Sequence, residues 1–101
     1  MAKRTRKEIV WVKTAHRVFT KTLEFWTEHN QSSAYSRKLD TQIKNLLQQI
    51  ALYPNLGKAT SKNGVQVVVK DHYHIYYRVT SDQIIVQIFW ASRRNPAEFK
   101  L

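Results

Sequence analysis

Two histidines and three arginines near the C-terminal end are the residues of this chain best suited to chemistry. His72, His74 and Arg78 fall in and beside a β-rich run, and Arg93 and Arg94 stand together just past another. Imidazole titrates near neutral pH, so it can take the proton of a ribose 2′-hydroxyl or return one to a leaving oxygen. Guanidinium groups grip phosphate bidentately and stabilise charge growing on a phosphorane. Brought to one sheet edge, the five residues have the parts for ribonucleolytic transfer. A plainer reading stays open beside it, in which His74 and Arg78 are polar residues on an exposed strand face and the arginine pair is a solvated tail.

Other chemistries find little support. No cysteine is present, which excludes disulfides and thiolate metal sites and fits an intracellular protein. His72 and His74 have the spacing of two same-face strand residues, yet no carboxylate pattern or third histidine accompanies them. His16 and His29 are too far apart for an i, i+4 ligand pair on one helix. There is no Gly-rich phosphate loop and no Gly-x-Ser-x-Gly elbow, and no cofactor is expected.

The elements that must position these residues can be read from periodicity. Ile9 to Lys13 is β-rich and predicts a first strand. Thr14 to about His29 predicts a helix with Ala15, Val18, Phe19, Thr22, Leu23, Phe25 and Trp26 on one face, and Arg17, Thr20, Lys21, Glu24 and Glu28 opposite. After the polar break Asn30–Ser33, where Ser32 or Ser33 can cap, a second helix runs to about Tyr53 on the stripe Tyr35, Leu39, Ile43, Leu46, Leu47 and Ile50. Pro54 and Gly57 stop it, and the short link predicts an antiparallel helical hairpin. Lys58 to Asn63 reads as a basic loop. Strands over Gly64–Lys70, His74–Val79 and Ile84–Trp90, with short connections, predict an antiparallel meander.

The expected class is therefore α+β: an N-terminal strand, a helical hairpin and a three-stranded antiparallel meander, with the helices on one sheet face. If Val79 faces Ile84, alternation places Tyr77 opposite Val86 and Ile75 opposite Ile88 on a dry face. It leaves His74, Tyr76 and Arg78 beside Phe89, Gln87 and Ile85 on the other.

At 101 residues the chain reads as one domain, with residues 1–7 as a basic tail. Seventeen Lys and Arg against seven Asp and Glu give +10, a field that favours nucleic acid, a ribosome or an acidic protein. No window approaches the roughly 18 apolar residues of a membrane span, and a cytoplasmic protein without membrane partners is the expectation.

In order along the chain come Ile9-Val10-Trp11-Val12, Pro54-Asn55-Leu56-Gly57-Lys58 and Val67-Val68-Val69. They are followed by Tyr73-His74-Ile75-Tyr76-Tyr77-Arg78-Val79 and Phe89-Trp90-Ala91-Ser92-Arg93-Arg94-Asn95-Pro96. This arrangement resembles the RelE/ParE superfamily, the toxins of bacterial type II toxin–antitoxin modules. The resemblance implies a cognate acidic antitoxin as partner. It also implies cleavage of mRNA on the ribosome, as in RelE-like members, or poisoning of DNA gyrase, as in ParE-like ones, with a degenerate interaction module as the third alternative.

The cutting version would use His74 as acid or base, with Arg78 and Arg93 or Arg94 on phosphate. Tyr73 or Tyr76 would stack on a base, and His72, Lys58 and Lys62 would be further substrate contacts. The sequence departs from the cutters where Gly64–Val69 is almost wholly apolar, where His74 replaces an arginine, and where Phe99 stands near the place of a terminal tyrosine. In the gyrase version the hairpin and tail are protein-binding surfaces. Phe25, Trp26, Trp90 and the open sheet face also offer more aromatic surface than so small a core needs.

Overall fold

The computed structural model describes residues 6–91. Strand β1 (Glu8–Trp11) leads into helix α1 (Lys13–Asn30) and helix α2 (Ala34–Leu52). A 3₁₀ turn at Pro54–Leu56 and a two-residue strand β2 (Lys58–Ala59) follow, then β3 (Val65–Lys70), β4 (Tyr73–Val79) and β5 (Gln83–Ala91). The α+β architecture is the one the sequence implies, with two additions. Part of the expected basic loop, Lys58–Ala59, pairs with β3, and β1 runs parallel to β5, giving a five-stranded mixed sheet in the order β1-β5-β4-β3-β2. The parallel pairing is possible because the whole hairpin serves as the crossover.

Both helices bury their apolar stripes on one sheet face. Ala15 and Phe19 from α1 and Leu39, Ile43, Leu47 and Ile50 from α2 meet Ile75, Tyr77, Ile84, Val86 and Phe89. Val18 and Tyr35, expected in the stripes, stay exposed at their margins. Gln31 adopts the left-handed conformation at φ 53° and ends α1, with the Ser32 N–H donating to the Thr27 carbonyl. Ser33 occupies the first cap position of α2 without a side-chain bond, whereas Ser32 Oγ accepts the Ala34 N–H. Ser36, buried, ties the helices together through the Leu23 carbonyl at 2.8 Å and Thr27 Oγ1 at 2.6 Å. Trp26 packs against the core. Together with Phe25, His29 and Tyr35 it forms an aromatic cluster where the hairpin turns.

One expectation fails at a β-bulge. Val79↔Ile84 and Tyr77↔Val86 pair as the alternation implies, but Ile75 opposes Phe89, not Ile88. The register shifts between Tyr76 and Tyr77, leaving Gln87 as the extra residue of β5, and every later side chain on that strand changes face. Phe89 therefore enters the core, edge-on to Phe19 at 5.1 Å, and Ile88 is left 49% exposed on the outer side.

The N-terminal segment also differs from a loose tail at its end. Lys7 donates its backbone N–H to the Ala51 carbonyl and its ammonium to the Thr80 and Ser81 carbonyls, clamping the β4–β5 turn. At the other edge the buried Tyr77 hydroxyl accepts the Gly57 N–H at 2.9 Å. It lies 2.8 Å from both the Pro54 carbonyl and Gln66 Oε1. Burial raises its pKa above the ordinary tyrosine value, against the opposing effect of the Gly57 bond. A Cβ on Gly57 would lie 2.6 Å from that hydroxyl and 2.7 Å from the Val67 carbonyl, so only glycine fits this close approach.

Candidate nucleic-acid interface

The sheet face away from the helices has no layer over it among the described residues. Its side chains follow from strand alternation and the bulge: His74 opposite Val69 and Trp90, Tyr76 opposite Val67 and Ile88, Arg78 opposite Val65 and Ile85. Val69 is 53% exposed and Ile88 49%. This surface is apolar and aromatic with cations at its margins, a composition suited to unstacked bases and their phosphates.

His74 and Trp90 form its centre. As direct cross-strand partners they stack with ring centroids 4.6 Å apart and planes 13° from parallel. The contact holds the imidazole in one orientation on a half-buried strand, and a rigid mount of this kind is what a proton-transfer group needs. Trp90 was legible only as surplus aromatic surface. Its place beside His74 depends on the bulge, which the alternation of β5 does not announce.

The remaining candidates do not converge on one centre. Arg78 shares the face with His74 but stands four residues along β4, about 13 Å at strand rise, too far for both to touch one phosphate. Its Nη1 donates to the Asn63 carbonyl at 3.3 Å and lies over Gly64, whose φ of 82° and open Cα admit it. Lys62 neighbours Asn63 in the same loop, and Lys58 pairs with Val67, the cross-strand partner of Tyr76. Arg78 and Lys62 thus stand at one end of the face with Tyr76 between Arg78 and His74, and Lys58 lies on the β2 edge level with Tyr76.

Two assignments change. Tyr73 is 3% exposed, its ring stacked on Phe89 at 5.6 Å and its hydroxyl 3.4 Å from that of Tyr35, so it packs in the core and offers no face to a base. His72 is not a strand residue sharing a face with His74. It sits exposed in the two-residue β3–β4 turn, after Asp71 in the left-handed conformation at φ 57°. Arg93 and Arg94 lie outside the described residues, as does Phe99. The chain reaches them from Ala91, which pairs with Tyr73 at the His74 end of the sheet. Among the described residues no three His, Asp or Glu side chains are grouped to hold a metal ion, and no helix is long and apolar enough to cross a membrane.

No protein-family model matches the sequence, and no curated protein matches it. Among solved structures the chain is similar to one described as the chromosomal ParDE TA system from P. aeruginosa. The TM-score is 0.66 at 13% identity, over 87% of this chain and 98% of that one. At that identity the likeness is one of fold.

Proposed function

We propose that this chain is the toxin of a type II toxin–antitoxin module and that it acts by ribosome-dependent cleavage of mRNA. The observation that carries the reading is the stacked His74–Trp90 pair on an open sheet face, in a fold shared with a ParDE structure. In this reading His74 exchanges the proton of the attacking 2′-hydroxyl or of the leaving oxygen. Arg93 or Arg94 supplies charge at the scissile phosphate, reaching it from the chain that leaves Ala91. Trp90 and Tyr76 offer rings to flanking bases. Arg78, with Lys58 and Lys62, holds phosphates further along the strand, as the 13 Å or so from His74 requires.

An acidic antitoxin that folds on binding would cover the exposed Val69 and Ile88 and offset the +10 charge. Such a complex should bury more than about 1,200 Å².

The separation of Arg78 from His74 favours a second reading. A face whose cations are dispersed can bind without cutting, and poisoning of gyrase needs no catalytic centre on this chain. A purified translation system supplemented with gyrase and supercoiled DNA tests both. The first reading expects cleavage of translated mRNA, intact naked RNA and unaltered supercoiling. Gyrase-linked DNA breaks with whole mRNA would replace it by the second, and unhindered growth at high expression in a bacterial host would remove both.

A further inference from the structure

The outward stripe of α1 is built against the helix that carries it. Lys13, Arg17 and Lys21 stand four residues apart, all exposed, on the side away from the buried Ala15, Phe19 and Thr22. Glu24 and Glu28 continue the stripe toward the C-terminal end. The helix macrodipole favours acids near the N-terminus and cations near the C-terminus, and this stripe has the opposite order. Lys13–Arg17, Arg17–Lys21 and Glu24–Glu28 are each like-charge pairs at i, i+4, the spacing at which such pairs weaken a helix. No acid stands in the first turn to relieve them. Among the described residues the one ion pair joins Lys44 to Asp40 on α2; Lys13 and Arg17 have no acid three or four residues away, and Lys21, with Glu24 at i, i+3, forms no ion pair with it.

A charge order that destabilises its own helix has its cause outside the helix. We propose that Lys13, Arg17 and Lys21 form a docking ridge for the phosphate backbone of double-helical RNA. At helical rise the three cations are spaced by about 6 Å over a span of about 12 Å, on a rigid element. No aromatic ring stands among the three cations. Phe25, one turn beyond Lys21, is packed against Trp26 and His29, so the ridge reads as a backbone contact rather than a stacking platform for unstacked bases. An A-form duplex brings the phosphates of its two strands together across a deep, narrow major groove, where a short straight row of cations meets a rail on each side. Glu24 and Glu28 repel phosphate beyond Lys21 and fix where the contact ends. The ridge points away from the sheet, so a duplex held there leaves the His74 face open.

A second copy of the chain, laid antiparallel, would set Lys13 against Glu28 and Arg17 against Glu24. Exposed ion pairs contribute little net, and the stripe has no apolar anchor to hold two subunits, so the polyanion is the better fit.

Fluorescence anisotropy with a short RNA duplex, and with a DNA duplex of the same sequence, over a series of salt concentrations tests this. The protein should bind the RNA duplex more tightly than the DNA. The Lys13→Gln/Arg17→Gln/Lys21→Gln variant should lose affinity and flatten the log–log salt slope by about 2 to 3, near 0.9 per phosphate contact. Glu24→Gln/Glu28→Gln should bind more tightly, and His74→Ala should keep duplex binding. The triple variant should also melt at a higher temperature, because its like-charge pairs and reversed dipole order are relieved, so unfolding cannot explain its lost affinity. An unchanged salt slope in that variant would overturn the ridge, and equal affinity for the two duplexes would overturn the choice of RNA. A dimer in sedimentation that both sets of substitutions abolish would replace the polyanion by a second copy of the chain.

Discussion

Tyr77→Phe removes one oxygen from the point where the 3₁₀ turn, the start of β2 and the two central strands meet. The hydroxyl accepts the Gly57 N–H at 2.9 Å and has one proton to share between the Pro54 carbonyl and Gln66 Oε1, each 2.8 Å away. Phenylalanine fills the same volume in a site with no solvent exposure, so the change reads hydrogen bonding without a packing contribution. Two bonds are lost, one accepted and one donated, at about 1 kcal/mol net each. Gln66 keeps the separate bond that its side-chain amide donates to Asn55 at 3.1 Å, while the Gly57 N–H and Gln66 Oε1 lose their partner, which makes the sum of the two bonds the lower end of the loss. The expected loss is at least about 2 kcal/mol, which corresponds to roughly 8–16 °C in Tm for a domain of this size.

Chemical denaturation should show that loss at an unchanged slope, since the surface exposed on unfolding is the same. The pH dependence gives a second readout. Burial raises the Tyr77 pKa above that of the unfolded chain, so its stabilising contribution is fully present below about pH 10. It is lost as pH rises through the folded value, because unfolding then releases a proton. The variant should lack that part of the alkaline decline. A loss under about 0.5 kcal/mol, or an alkaline limb identical to the parent's, would refute the latch.

Three further outcomes follow from other parts of the structure. Gly57→Ala should cost about 1–3 kcal/mol in denaturant midpoint measurements, because its Cβ would press on both Tyr77 and the Val67 carbonyl. Phe89→Ala should cost about 3–5 kcal/mol while Ile88→Ser stays within roughly 1 kcal/mol, and the reverse ranking would place the bulge wrongly. On the proposed cutting mechanism, His74→Ala should lower mRNA cleavage about 100- to 1000-fold with the melting curve preserved. Arg93→Ala and Arg94→Ala, measured side by side, should identify which arginine serves the phosphate; full cleavage by all three variants would remove the assignment.

What the sequence disclosed, and what it withheld, divides along physical lines. The helices were legible because a stripe such as Leu39, Ile43, Leu47 and Ile50 repeats at 3.6 residues over several turns, and that signal accumulates. The β4–β5 hairpin was legible near its turn, where Val79 and Ile84 fix the register. It failed beyond Gln87, because one inserted residue reverses the faces and Ile88 and Phe89 are equally apolar. β2 is too short to show a period at all, and it starts one residue after Gly57, whose N–H the Tyr77 hydroxyl accepts. The parallel β1–β5 contact is a matter of tertiary topology that local pattern does not encode. At the candidate site, residue types pointed to His74 and Arg78 on one face correctly. Tyr73 was misread because a tyrosine on an alternating strand suits either face, and only the core ring of Phe89 decides it.

The pairing of the first strand with the last has a consequence for how the molecule comes into being. Glu8 and Gln83 are 75 positions apart, and among the described residues β1 joins no other strand. During synthesis β1 must therefore wait, unpaired, until β5 has been made. Long-range closure of this kind is slow and comes late in folding. A chain halted after Asp82 would hold the hairpin helices and the β3–β4 pair yet leave Ile84, Val86 and Phe89 missing from the core. Its amides should then exchange with solvent far faster than those of the finished protein. Maturation of this sheet is thus set by the arrival of β5, and the His74–Trp90 pair comes into existence in that same step.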